Sequence, residues 1–235
     1  MTTYYKTDDL KRVLETISQV RSVDDIKFED NIIIHISIDT GTIGRVTVHQ
    51  LEVNDAPELF EFYTEGLTET PRRLFAPYPL FHTPPYSVSE MAERIAEWKK
   101  EKDWSSICLT KDKQIIGFCL LKRFYTENVT SGIAVRDDFL KKGLGRILQS
   151  IIIEQARLLN LKSFHIKVVS DNLASVRLHE KCGFRQTRIL PPPMYEEVLQ
   201  YLSAIDKKEG KKAVERHIIE MVIDLEPKTK RLSEN

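Results

Sequence analysis

Ile133-Ala134-Val135-Arg136-Asp137-Asp138-Phe139-Leu140-Lys141-Lys142-Gly143-Leu144-Gly145-Arg146 is the stretch on which the reading of this chain turns. An apolar strand ends, a short basic loop follows, and a long helical pattern begins. Leu144, Ile147, Leu148, Ile151, Leu158 and Leu159 keep its period. Such a junction makes an anion site. The first amides of a helix lack partners within it, the macrodipole favours negative charge there, and glycine lets backbone approach a ligand closely. Lys141, Lys142 and Arg146 add positive charge suited to a diphosphate. Two rival phosphate loops fail on the letters. A dinucleotide fingerprint wants a third small residue where Leu148 stands, and a Walker loop wants Gly-Lys-Ser/Thr where Gly145 is followed by Arg146 and Ile147.

Downstream, Ser163–Val169 reads as a strand, Leu173–Lys181 as a helix and Phe184–Leu190 as a strand. After Pro191-Pro192-Pro193 come a helix over 194–208 and a last strand, His217–Leu225. Upstream, strands are expected at Ser105–Thr110, Gln114–Phe124 and Asn128–Val135. Helices are expected after Asp55-Ala56-Pro57-Glu58 and from Ser87, whose capping box with Glu90 leads through Met91, Ile95 and Trp98. Between those helices, 66–86 is read as a long irregular connection with five prolines and four aromatics. The first fifty residues read as a helix over 7–20, then a β-hairpin: Ile32, Ile34, Ile36 and Ile38 alternate with polar residues, Asp39–Thr42 turns, and Arg45–Leu51 returns. The pattern predicts an α/β (α+β) fold: a mixed, mostly antiparallel central sheet with helices on both faces. The divisions expected are an N-terminal helix–hairpin appendage (1–50), a main domain (51–226) and a polar tail (227–235).

Composition bounds the function. The chain has 235 residues, 41% hydrophobic and 30% charged, enough for one sizeable core. Lys plus Arg and Asp plus Glu are 35 each, so net charge is zero and a strongly basic nucleic-acid binder is not expected. Apolar runs such as Ile115–Leu121 are too short to cross a bilayer, and the start lacks a signal-peptide core. Cys108, Cys119 and Cys182 form no CxxC and read as reduced thiols. His35, His49, His82, His165 and His217 show no metal spacing. The expectation is a cytoplasmic protein without a metal, a membrane span or a nucleic-acid partner.

A second signature stands at Asn172-Leu173-Ala174-Ser175-Val176-Arg177-Leu178-His179-Glu180-Lys181-Cys182-Gly183-Phe184, where Asn172 can cap the helix and Gly183 stop it. With the glycine loop at this separation, the pair resembles the GNAT (GCN5-related) N-acetyltransferase superfamily over roughly 44–226. The resemblance implies an acetyl-CoA co-substrate and transfer of its acetyl group to an amine by direct attack in a ternary complex. Backbone groups of Ile133, Ala134 and Val135 would hold the pantetheine like an added strand. Lys141, Lys142, Gly143, Leu144, Gly145 and Arg146 would wrap the diphosphate, and Asn172 would bond the pantetheine arm. An N–H near Val135 would serve as oxyanion donor.

Two departures stand out from the family pattern. Leu140 occupies the usual Gln/Arg position of the loop, and His179 the usual tyrosine that protonates departing CoA thiolate. His179 either takes that acid role or packs on its helix, leaving thiolate release to water. The usual strand glutamate falls at Val129, so Glu127 is the candidate base, with Ser131 on the same strand face to position a water. An amine with pKa about 10.4 needs such help, because exposing its lone pair at neutral pH costs roughly 4–5 kcal/mol. The segments expected beside the acceptor carry Phe75, Tyr78, Phe81, Tyr86 and Tyr195, suiting an enclosed pocket for a small or planar amine. A non-catalytic acyl-CoA-binding module, and a protein-interaction domain forming a homodimer through the isoleucine face at 32–38, are the competing readings.

Overall fold

The computed structural model describes residues 6–74, 85, 87–126, 129–191, 196–212 and 214–225. Glu127, Phe75, Tyr78, Phe81, Tyr86 and Tyr195 lie outside these residues, as does the tail from 226. Nine strands form one sheet: β1 (Val20–Glu29), β2 (Ile32–Thr40), β3 (Gly44–Gln50), β4 (Trp104–Lys111), β5 (Gln114–Lys122), β6 (Thr130–Val135), β7 (Ser163–Val169), β8 (Arg185–Leu190) and β9 (Ile218–Asp224). Their order is β1-β2-β3-β4-β5-β6-β7-β9-β8, and every neighbouring pair is antiparallel except β6–β7. Among the described residues the helices are α1 (Lys6–Glu15), α2 (Ala56–Thr64), α3 (Glu69–Leu74), α4 (Val88–Trp98), α5 (Leu144–Leu158), α6 (Leu173–Lys181) and α7 (Glu196–Lys208). The mixed, mostly antiparallel sheet read from the sequence is the one found. Among the described residues, no helix is long and apolar enough to cross a membrane.

Strand alternation divides the apolar residues between two cores. Ile107, Leu109, Cys119 and Leu121 face α1 and α5, packing with Leu10, Leu14, Ile147, Leu148 and Ile151. Cys108, Phe118, Leu120 and Ala134 face α2 and α4, packing with Leu59, Phe62, Met91, Ile95 and Trp98. A smaller cluster of Val169, Leu190, Leu202 and Ile218 seats α7 on the β7–β9 half of the sheet.

The N-terminal elements differ from expectation in three ways. The helix stops at Glu15, and β1 follows where helix and connection were read. Its alternation is broken by register shifts between Val20 and Ser22 and between Asp24 and Lys27, with Asp25 at φ 46°. The turn into β2, Asp30-Asn31, takes positive φ at both residues (44° and 68°), as a tight hairpin of twisted strands requires. In β2 the isoleucines do not share one face. Lys27 pairs with His35 but Phe28 with Ile33, so Ile34 is an extra residue on β2, and Ile33, Ile36 and Ile38 enter the α1–α5 core. Much of the apolar face that suggested self-association is therefore covered within the chain. The connection read as irregular over 66–86 contains α3.

The first strands continue the main sheet, and α5 fastens them. The Gln155 side chain accepts from Ile33 N at 2.7 Å and donates to Asn31 O at 2.8 Å, although it lies on a helix more than a hundred residues later.

Candidate functional site

At the sheet centre β6 and β7 run parallel but meet at a single pair, Thr130 with His165, and beyond it they separate. The register on the other side of β6 shows what the opening exposes. Arg136 N donates to Ile116 O at 2.9 Å, and Val135 stands opposite Gly117. Antiparallel ladders alternate, so the backbone groups of Ala134 are spent on β5, while those of Ile133 and Val135 point toward β7. Of the three residues expected to present free backbone, two do so, and Ala134 instead buries its side chain against α2 and α4.

The β6–α5 loop leads directly out of this opening. Gly143, at φ 86°, stands just before α5 without a side-chain cap, and Lys141 is also left-handed at φ 61°. Arg146 N and Ile147 N both donate to Gly143 O, which leaves the Leu144 and Gly145 amides at the start of α5 to a ligand. Lys142 folds back: its Nζ donates to Asp138 O at 3.0 Å and lies 4.6 Å from the Phe139 ring centroid. The loop is fixed from below by Asp137, whose Oδ2 accepts from Thr68 N at 2.7 Å and whose N donates to Gly66 O at 2.8 Å. Arg136 adds ion pairs to Glu61 and Asp138 at 3.0 and 3.2 Å. Gly145 serves packing: a Cβ there would lie 3.3 Å from Leu178 Cδ2, so its absence lets α6 close on α5.

The N-terminal elements reach this loop. A Cβ on Gly143 would come within 2.7–2.9 Å of Gln19 Cγ, Oε1 and Cδ, so the Gln19 side chain lies against the Gly143 Cα. Thr42 Oγ1 donates to Lys142 O at 3.4 Å. Neither contact has a counterpart in the sequence pattern, because residues a hundred or more positions apart carry it.

Asn172 caps α6 as expected, its Oδ1 accepting from Ser175 N at 3.2 Å, which leaves Nδ2 as the atom able to donate to a ligand. His179 sits in the last turn of that helix and is buried. Its Nδ1 donates to Ser175 O at 2.7 Å, and Phe184 packs edge-on at 5.2 Å. Burial depresses its pKa to about 4, against a smaller upward pull from the Ser175 carbonyl. The ring is thus neutral near pH 7 with its one proton committed to a helix carbonyl, an environment that suits packing better than proton donation. Ser131 points toward the α5 side, where its Oγ is buried without a hydrogen-bond partner.

The opening also holds a group that sequence reading set aside. His165, at the single β6–β7 pair, projects to the α2–α4 side with its Nδ1 3.7 Å from Glu220 Oε1. Glu220 is held by Arg188 Nε at 2.8 Å and accepts from Thr187 Oγ1 at 3.4 Å. Burial raises the Glu220 carboxyl, but the bond and charge of Arg188, with His165 and Lys167 behind them, outweigh it and hold it below the usual range. Thr130 Oγ1, across the pair, is buried without a hydrogen-bond partner. The available signal was slight: one carboxylate inside the apolar run of β9, and a histidine on the polar side of β7.

A split parallel pair flanked by a left-handed glycine loop and a long helix places the chain in a class, and sequence comparison agrees. The profile of the acetyltransferase (GNAT) domain matches residues 45–185, more than half of the chain, which therefore belongs to the GNAT acetyltransferase family. It is 30% identical over 81 residues to the ribosomal protein bS18-alanine N-acetyltransferase of Salmonella typhimurium, and 27% identical to that of Escherichia coli. Those overlaps take in 34% of this chain and 55% of the relative, so the chain spans about half the length of the curated relatives it matches. The fold is shared with the GNAT domain of S. lividans PAT (TM-score 0.55, 19% identity, 77% of this chain and 92% of that one). It is shared equally with a spermidine N-acetyltransferase of Vibrio cholerae, solved with CoA and spermine (TM-score 0.56, 17% identity, 76% and 95%).

Proposed function

We propose that the protein is an acetyl-CoA-dependent N-acetyltransferase acting on a small amine by direct attack in a ternary complex. The observation that carries this is the β6–β7 opening, where Ile133 and Val135 present unpaired backbone groups beside the left-handed Gly143 loop. That combination fits a pantetheine laid along a strand edge with its diphosphate at a helix start. The similar proteins named above act on a ribosomal-protein alanine or on spermidine, so an amine acceptor is the shared chemistry.

Bound acetyl-CoA supplies the activated acetyl thioester. The chain's own residues supply the rest. First-turn amides of α5, with Lys141 and Arg146, hold the diphosphate, and Asn172 Nδ2 donates to the pantetheine arm. The Ile133 and Val135 N–H groups, facing the opening, would donate to the negative charge that gathers on a thioester oxygen. His165, oriented by Glu220, takes the proton of the amine directly or through a water, assuming the role assigned to Glu127 from the sequence. His179 remains a neutral packing residue, and the thiolate leaves to water, a tolerable exit for a thiol with pKa about 8.5.

Calorimetric titration of acetyl-CoA, with NAD and ATP as controls and Gly143→Glu as the blocked variant, tests the reading. Selective binding abolished by the variant is expected, followed by CoA release in an amine screen. For the amine that works, His165→Gln should lower kcat/KM about 10²–10⁴-fold at neutral pH, leave acetyl-CoA affinity unchanged, and lose less as the pH rises. Failure to bind acetyl-CoA refutes the assignment. Tight binding without CoA release from any amine gives the non-catalytic acyl-CoA-binding reading instead.

A further inference from the structure

Away from the β6–β7 opening, three donor atoms of three chemical kinds converge on the α2–α4 face. His49 on β3 and Cys108 on β4 are directly opposed across the antiparallel pair, so both side chains leave the sheet on the same side. Asp55, at the start of α2, comes down onto them: its two carboxylate oxygens each lie 3.2 Å from His49 Nε2. The imidazole nitrogen, the carboxylate oxygen and Cys108 Sγ all lie within 4.8 Å of one another. A helix-start aspartate bonded to a histidine is explained by capping alone, since Asp55 Oδ2 also accepts from Glu52 N at 2.7 Å. Capping does not account for a fully buried thiol within 4.8 Å of both partners.

Of the three donors, His49 borders open space. His49 is half-buried and lines a cavity of about 580 Å³ whose walls include Ile32, Ile34, Trp98, Trp104 and Ser106. Cys108, by contrast, is closed off from solvent. Three protein donors, one of them bordering a cavity, match a four-coordinate transition-metal site whose last ligand is water. Around zinc, bonds of about 2.0–2.3 Å put neighbouring donors roughly 3.3–3.6 Å apart, so the His49–Asp55 spacing already suits and Sγ must close by little more than an ångström.

We propose that His49 Nε2, an Asp55 carboxylate oxygen and Cys108 Sγ form a binding site for a borderline-soft divalent metal of the zinc type, completed by a water from the adjoining cavity. Binding releases the Cys108 thiol proton to solvent and forms a metal–sulfur bond. The His49 ring then carries its hydrogen on Nδ1, and no electron changes hands. The hard cations magnesium and calcium, which take oxygen ligands, are not matched by a thiolate and an imidazole. The ion would pin the first turn of α2 to two central strands. This inference stands apart from the proposed acetyl transfer, and its test uses no acetyl-CoA.

Cobalt(II) is the probe, because it substitutes for zinc and is coloured. Purified full-length protein carrying Cys182→Ser, stripped by chelator, is titrated with cobalt and then zinc. Expected are the visible bands of four-coordinate cobalt and a near-ultraviolet thiolate-to-cobalt charge-transfer band, both bleached by equimolar zinc. Loss of the charge-transfer band in Cys108→Ala, and of all cobalt colour in His49→Ala, assigns the donors. Circular dichroism confirms that each variant is folded. A rise in melting temperature with zinc, absent from both variants, gives a second readout that does not depend on colour. Absence of a charge-transfer band in the Cys182→Ser protein overturns the proposal, as does a band that survives Cys108→Ala.

Discussion

Gly143→Ala tests the phosphate loop and its N-terminal contact together. The φ of 86° at Gly143 is left-handed, and an alanine there costs about 1–2 kcal/mol. The new Cβ also falls within 2.7–2.9 Å of three Gln19 side-chain atoms, closer than real contacts allow. Those atoms belong to the end of a flexible side chain, so Gln19 can turn aside, at about 1 kcal/mol for an unfavourable rotamer. The substitution should therefore destabilise the protein by about 2–3 kcal/mol. Gln19→Ala removes all three clashing atoms, so in that background only the backbone strain remains. Urea unfolding of wild type, both single variants and the double variant measures the difference, and a coupling of about 1 kcal/mol is expected. Acetyl-CoA calorimetry on the same four proteins should show affinity falling at least tenfold in both Gly143→Ala proteins. The reasoning is refuted if Gly143→Ala unfolds at the wild-type midpoint, or costs the same in both backgrounds.

Two further expectations follow from buried polar groups. His179 is depressed to about 4 from an ordinary 6.5, so the folded state resists its protonation. The stability this preserves is complete above about pH 6.5 and declines by roughly 3 kcal/mol as pH falls through 4. His179→Leu should flatten that part of the stability–pH curve, and an unchanged curve would show that the ring accepts its proton freely. Gln155→Leu strips the partners from Ile33 N and Asn31 O, leaving a buried amide unpaired. It should cost about 1–3 kcal/mol in urea unfolding and speed hydrogen exchange at the β1–β2 turn before elsewhere. Exchange that quickens uniformly would remove the idea that α5 fastens that turn.

Most of the fold was legible because periodicity is local. Gln114–Lys122 is a short continuous apolar run bounded by polar turns and Ser163–Val169 alternates, so both are placed within a residue or two, and Leu144–Leu158 keeps one apolar stripe through four turns. β1 was lost because its register shifts destroy the alternation that marks a strand, and because its partner β2 carries the extra residue Ile34. The glycine loop was legible in letters, since an unpartnered helix start needs only a few consecutive residues. What positions it was not. Gln19, Thr42 and Thr68 touch the loop from remote parts of the chain, and no local pattern encodes such contacts. His165 and Glu220 were missed for the same reason, since only the β7–β9 pairing brings them together. His179 was legible as a residue but not as an environment: its role follows from burial beneath Phe184, which a helical wheel does not reveal.

The seating of Gln19 and Thr42 on the β6–α5 loop has a thermodynamic consequence. If a ligand binds more tightly to the ordered loop than to the loosened one, ordering of the first forty residues and occupancy at Gly143 become reciprocal. Each then stabilises the other by the same free energy. The N-terminal strands would act as a distant buttress whose fraying is sensed at the mouth of the sheet opening. A partner that grips β1, the edge of the sheet, could thereby tune affinity at its centre without touching a single residue of the site.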